Sequence, residues 1–401
     1  MRVLILTPSL PYPPIWGFGI RVYEFVRLLS RRHQVSVVTY AEPGEEEKVA
    51  AVAAVCNAVH TVLRVPETER SKRLAQLSST WSRDSYQRRS LFSPGMQRKL
   101  DEVTNRERFD VVQIESSQLA GFSFDPRVVS VLDEHNIEYE LLYRMYTTEG
   151  SPLRRMYNWL EFQKFKREEV SSWQSVSGVV STSAREERIM REAARETPMM
   201  VAPNAVNVDY FIPSDEPIDA EALVMTGLMH YRPNIDGATY FVREILPHIL
   251  ASRPNVVFYI VGAGATTELK RLASENVVVT DTVADVRPYV YKSAVFVVPL
   301  RMGGGTRLKV LEGMSMKKAV VSTSVGCEGI DVSNGDHLLI VDEPRAFANA
   351  VLELFADRKR RLALGHAGRA LVERQYRWET VVERLEGFYD RLLALRRSSA
   401  P

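Results

Sequence analysis

Short apolar runs alternate with longer polar segments along the whole chain. Residues 3–7, 34–39, 110–114, 128–132, 178–183, 223–227, 256–261, 277–283 and 294–299 are rich in valine, isoleucine and leucine, and turn-forming residues bound most of them. Continuous apolar runs of this length read as strands buried on both faces of a parallel sheet, a form that requires helical crossovers. Residues 22–29 fit such a crossover, with Val22, Phe25, Val26 and Leu29 at helical spacing. The pattern predicts an α/β chain built from repeated βαβ units.

Several loops that follow these strands carry candidate chemistry. The run 294–299 leads into Gly303, Gly304, Gly305, Thr306, Arg307, Leu308 and Lys309, with Glu312 one turn on. Successive glycines let a loop wrap closely around a ligand, and Thr306 is expected to N-cap the next helix. Arg307 and Lys309 then fall in its first turn, where the dipole disfavours a cation unless an anion is present. Free N–H groups, a dipole and two cations describe a diphosphate site, with Glu312 placed to accept from ribose hydroxyls. The plainer reading is a solvated helix start after a loose turn.

Gly17-Phe18-Gly19 ends a proline-rich loop after the first strand and is a second place where backbone meets phosphate or sugar, or only a tight turn. The strand 128–132 runs into Asp133-Glu134-His135-Asn136, a polar cluster at a carboxyl strand end, where open α/β sheets bind ligands. His135 reads as a site residue or as a packing group. Asn207 and Asp209 read as turn chemistry rather than a metal motif. Glu45 to Lys48 reads as a solvated helix start.

Composition narrows the class. The 401 residues suffice for two ordinary domains; 45% hydrophobic and 25% charged is globular, and a net charge of +2 points to no particular partner. Cys56 and Cys327 stand far apart in no metal spacing, so a reducing cytoplasm is expected. The apolar run after Met1 is short for a signal peptide, and no run reaches the ~20 residues that span a bilayer, so any membrane contact is expected to be peripheral. Residues 71–100 set Lys72, Arg73, Arg83, Arg88, Arg89, Arg98 and Lys99 against Asp84 alone, with Leu74, Leu77, Trp81, Tyr86, Leu91 and Phe92 between. This patch reads as a solvated helical face, or as a surface for anionic lipid with Trp81, Leu91 and Phe92 dipping in. Nucleic acid fits poorly, because no matching basic face or motif occurs elsewhere.

Residues 299–314, 318–323 and 326–330 together resemble the donor site of GT-B glycosyltransferases of family 4, in a bacterial subgroup with the Gly-Gly-Gly-Thr-Arg-Leu-Lys form. The resemblance implies two Rossmann-like domains facing a cleft: an acceptor domain at 1–205, a donor domain at 215–375, and a helix at 376–396 returning to the first. Trp378, Val381, Val382, Leu385, Phe388 and Leu392 fit that helix. Of the family's two donor-site glutamates, Glu312 matches the second, and Gly304 stands where the first would be. The usual Arg-Lys pair after the strand at 223–227 is absent; Arg232 is expected to take part of that role, with Arg307 and Lys309 opposite. His135 matches a family histidine beside the transferred sugar, and Gly17 and Gly19 match the glycine loop between donor and acceptor. Residues 277–283 resemble the segment that meets the nucleobase.

The implied activity is retaining, metal-independent transfer of a hexose or related sugar from a nucleotide diphosphate sugar to a hydroxyl acceptor, such as a polysaccharide, glycolipid or lipid-linked precursor. No cofactor is expected beyond the donor. The expected place is the cytoplasm, with peripheral contact at the inner membrane face. A dinucleotide-dependent oxidoreductase is disfavoured because Val22 and Thr267 stand where the third glycine of its fingerprint belongs. A nucleotide-sugar epimerase and a non-catalytic sugar-binding protein remain alternatives.

Overall fold

The computed structural model describes residues 1–65, 68–215, 217–303 and 306–398, with the side chain of Glu69 outside that set. The chain forms two compact units, Met1–Pro203 with Val382–Pro401, and Asn204–Val381.

The first unit is built on a seven-stranded sheet: β1 (Arg2–Thr7), β2 (Gln34–Ala41), β3 (Ala58–Leu63), β4 (Val111–Glu115), β5 (Val129–Glu134), β6 (Gly178–Ser181) and β7 (Met199–Val201). Their order is β3-β2-β1-β4-β5-β6-β7, every neighbouring pair parallel. The second unit carries β8 (Asp219–Thr226), β9 (Val257–Val261), β10 (Val277–Val279), β11 (Ser293–Val298), β12 (Ala319–Ser322) and β13 (Leu339–Ile340). Their order is β10-β9-β8-β11-β12-β13, again all parallel. Both sheets are doubly wound, as the apolar runs predict. Winding reverses between β1 and β4 in one unit and between β8 and β11 in the other, which leaves a crevice at the carboxyl ends of those strands.

Burial explains which strands the pattern revealed. Every residue of β4 and β11 is buried; β11 reads as an almost unbroken apolar run, whereas β4 sets the buried polar Gln113 and Glu115 among Val111, Val112 and Ile114. The edge strand β3 has no fully buried residue and escaped that reading. In the second unit Phe241 packs on Phe258 and Phe347, with ring centroids 4.4 and 6.0 Å apart. Each such ring contributes ~1.5–3 kcal/mol by leaving water. The helix Trp378–Ser398 buries Val382, Leu385, Phe388, Tyr389 and Leu392. From Val382 onward it belongs to the first unit, where Arg396 donates to the Val128 carbonyl (2.9 Å).

Asn207 behaves as turn chemistry predicts, its Oδ1 accepting from the backbone N–H groups of Asp209 (3.1 Å) and Tyr210 (3.0 Å).

Candidate functional site

In the second unit the helix after β11 spans Leu308–Ser315. Arg307, not Thr306, occupies its N-cap position, so the expected cap is corrected by one residue. Thr306 is instead buried, with no hydrogen-bond partner for its Oγ1 among the described residues. Lys309 does fall in the first turn, and Leu308 packs against the core. Arg307 is buried, with its guanidinium against Gly303, where an added Cβ would lie 3.0 Å from Nη2. Gly304 and Gly305 lie outside the described residues.

Lys309 crosses to the carboxyl end of β8. Its Nζ donates to Asn234 Oδ1 (2.6 Å), and Asn234 Nδ2 donates to the Leu228 carbonyl (2.8 Å). Gly227 forms the floor: a Cβ there would lie 2.7 Å from both Lys309 Nζ and Asn234 Nδ2. Gly227 and Gly262 have φ of +150° and +149°, and a Cβ on Gly262 would lie 1.7 Å from the Gly227 carbonyl oxygen. Only glycine fits at this pair of turns, which brings the ends of β8 and β9 together under the lysine. Asn234 and this glycine pair were not identified as site residues from sequence; their signal was a glycine ending each apolar run. Arg232 opens the helix Arg232–Tyr240 but is exposed, so Asn234 supplies that helix's bond to Lys309.

Burial pushes the Lys309 ammonium down to about 7, with Arg307 adding to the effect and Glu312 opposing it. Burial likewise pushes the Glu312 carboxyl up to about 7, against the pull of Lys309. Burial thus draws the pKa values of an acid and a base one helical turn apart toward each other. An anion arriving at the helix start would restore the lysine's full charge.

In the first unit, Gly17 and Gly19 are not in a loop as expected. They lie in the opening turn of the helix Gly17–Leu29, because Gly19 admits the Trp16 ring, which a Cβ would approach to 2.8 Å. Phe18, between them, lies on His135 with ring centroids 4.6 Å apart. Arg21, one turn further, is fully buried. Its Nε and Nη2 donate to the two oxygens of Asp133 (2.7 Å each), and its Nη1 donates to the Ala202 carbonyl (2.8 Å).

Asp133 and Glu134 end β5 rather than following it, and both are buried. Adjacent strand residues face opposite sides. Accordingly Glu134 accepts from Ser117 Oγ (3.1 Å) and Trp173 Nε1 (3.2 Å), while Asp133 meets Arg21. His135 Nε2 lies 2.8 Å from Glu115 Oε2 at the end of β4, and 3.7 Å from Asp133 Oδ2. Desolvation works to raise Asp133, but the charges of Arg21 and His135 and the hydrogen bonds with Arg21 and Glu115 together outweigh it and hold the carboxyl below its usual value. Burial and the Asp133 charge push Glu115 up, against hydrogen bonds from His135 and Gln113. The ligand atoms of Glu115, Asp133 and His135 lie within 4.8 Å of one another. Arg21 already takes both oxygens of Asp133, so the group is built as an ion-pair network more than as a metal centre.

The basic stretch forms the helices Glu69–Ser79, Tyr86–Leu91 and Pro94–Arg106. Trp81 is 84% exposed, and Leu74, Leu77 and Phe92 are exposed as well. Leu91 is buried, which corrects its expected place at an interface. Leu153, Met156 and Trp159 add exposed apolar surface on the helix Pro152–Ser175. That helix is tied to the first through Ser79 Oγ donating to Glu161 (2.9 Å) and Lys164 Nζ donating to the Ser79 carbonyl (2.6 Å). Among the described residues no helix is long and apolar enough to cross a membrane.

The family model described as Glycosyltransferase Family 4 matches residues 17–210, and that described as Glycosyl transferases group 1 matches residues 220–357. The chain is 22% identical over 367 residues to an uncharacterized 44.6 kDa protein in the cps region of Klebsiella pneumoniae, covering 88% of this chain and 90% of that one. Over 159 residues it is 33% identical to the GDP-mannose-dependent alpha-(1-6)-phosphatidylinositol monomannoside mannosyltransferase of Mycobacterium tuberculosis, covering 36% of this chain and 41% of that one. Among solved structures, Anabaena Alr3699/HepE in complex with UDP-glucose shares the fold, with a TM-score of 0.67, 13% identity, and coverage of 97% and 99% of the two chains.

Proposed function

This chain belongs to the group 1 glycosyltransferases of family 4, and we propose that it moves a hexose from a nucleotide diphosphate sugar to a hydroxyl of a sugar or lipid-linked acceptor, with retention and without a metal. The observation that carries the reading is Lys309, a lysine brought down to about 7 by burial at a helix start, beside Arg307 and above the Gly227 floor. A diphosphate there gains two charge-assisted contacts and the helix N–H groups, and these stabilise its charge as the sugar leaves. Glu312 accepts from the ribose, and Arg232, exposed at the neighbouring helix start, assists from solvent. His135 serves the sugar rather than the nucleotide.

Relatives support a hexose on a nucleoside diphosphate: one is named for GDP-mannose and a phosphatidylinositol mannoside, and one neighbour holds UDP-glucose. The exposed Trp81 and Phe92 beside Arg83, Arg88 and Arg89 support a lipid-borne acceptor reached from an anionic surface. The deciding experiment is a thermal-shift screen of nucleoside diphosphates and nucleotide sugars with chelator present, followed by product analysis with and without acceptor. A diphosphate at 100 times its dissociation constant should add about 2.7 kcal/mol of stability. Free epimerised sugar nucleotide without acceptor would identify an epimerase instead. Sedimentation with anionic vesicles, lost in high salt and on changing Arg83, Arg88 and Arg89 to Glu, tests the surface; no sedimentation at low salt argues for a soluble acceptor.

A further inference from the structure

Three buried side chains stand in line behind His135. Gln113 and Glu115 lie two apart on β4 and so share a face, and Tyr389 reaches the same face from the helix Trp378–Ser398. The Tyr389 hydroxyl donates to Gln113 Oε1, Gln113 Nε2 donates to Glu115 Oε1 (2.5 Å), and Glu115 Oε2 meets His135 Nε2 at 2.8 Å. Tyr389, Gln113 and Glu115 are each fully buried. Burying this many polar groups beneath a sheet costs desolvation that an apolar trio would avoid, so stability alone does not account for them.

We propose that Tyr389, Gln113 and Glu115 are positioning residues: a relay that fixes the His135 ring as its Nε2–H tautomer and turns Nδ1 toward the reacting sugar. The proposal rests on the reading that His135 serves transfer. Its polarity follows from donor and acceptor types. With Glu115 accepting at both oxygens, Gln113 turns its amide N–H toward Glu115 and its oxygen toward Tyr389, and His135 offers Nε2–H. Glu115 rather than Asp133 is the partner of that proton, because Nε2 lies 2.8 Å from Glu115 Oε2 and 3.7 Å from Asp133 Oδ2. Phe18, 4.6 Å from the imidazole centroid, holds the ring's face while Glu115 holds its edge. The second oxygen of Glu115 is held by Gln113, so the carboxylate cannot rotate away.

Glu115→Gln tests the polarity without changing shape. Its amide oxygen stays with the Gln113 N–H, so its own N–H turns on His135 Nε2, and the imidazole must move its proton to Nδ1. Long-range 1H–15N spectra of the 15N-labelled full chain should show His135 as Nε2–H in the wild type and Nδ1–H in this variant. With the donor found in the screen above, kcat should fall about 10- to 100-fold, the range seen when the outer partner of a metal-bound histidine is removed, at unchanged nucleoside diphosphate affinity. Tyr389→Phe, which removes only the far end of the relay, should give a smaller loss in kcat alone. An unchanged tautomer in Glu115→Gln overturns the relay. A switched tautomer with full kcat, where His135→Ala loses activity, overturns the positioning role. If His135→Ala itself keeps full kcat, the transfer role of His135 is what fails, and the tautomer switch still stands for the relay.

Discussion

Both units put their polar residues in the crevice where the strand order reverses, and the two crevices differ in charge. Beside β1 and β4 the first unit holds Arg21, Asp133, Glu115 and His135, each already bonded to another. Beside β8 and β11 the second unit holds Lys309, Arg307 and Glu312, with burial bringing the lysine down and the glutamate up, each to about 7. The first arrangement is complete in itself and holds a ring still. The second gains charge when an anion arrives, and this is how a site favours a ligand over an empty state. One topology thus supports a rigid post and a responsive one.

The contrast can be broken most severely in the first unit. Arg21→Met leaves Asp133 buried and unpaired and should cost ~3–5 kcal/mol, read as a drop in the denaturation midpoint. A loss under 1 kcal/mol would mean the network is not the closed unit described. The pair also sets an acid limit: Asp133 is held low, so its contribution is complete above the ordinary Asp value near 4 and fades as pH falls through the lower folded value.

The second unit should respond in binding more than in stability. Arg307→Ala and Lys309→Ala should each weaken nucleoside diphosphate by ~1.5–3 kcal/mol, roughly 10- to 100-fold by calorimetry, and Glu312→Ala should weaken it through the ribose. Unchanged affinity in all three would remove the diphosphate from this crevice.

A smaller effect sharpens the charge argument. A bound anion raises the Lys309 value from about 7, so above pH 7 binding should take up a fraction of a proton, and affinity should decline as pH rises beyond 7. Titrations in two buffers of different ionisation enthalpy measure it. Glu312 works oppositely: ribose hydroxyls favour its ionised form, so below pH 7 uptake should shrink or reverse. Uptake that persists unchanged in Lys309→Ala would assign it elsewhere.

The amino-acid sequence by itself determined the parallel strands, because unbroken apolar runs such as 294–299 have no other stable use in an α/β chain, and it determined the cationic helix start, because Arg307, Lys309 and Glu312 are neighbours along the chain. Tertiary structure alone decided what lies opposite them. Asn234 is distant in sequence from Lys309 and meets it only because β8 and β11 are adjacent, and the Gly227–Gly262 contact exists only because β8 and β9 pair. In the first unit the same holds for Arg21 with Asp133 and for Tyr389 with Gln113, whose partners come from different strands and helices. The pattern of hydrophobicity sets which segments are buried. Which polar groups share a crevice follows from the winding order, and the winding order sets the charge each group carries.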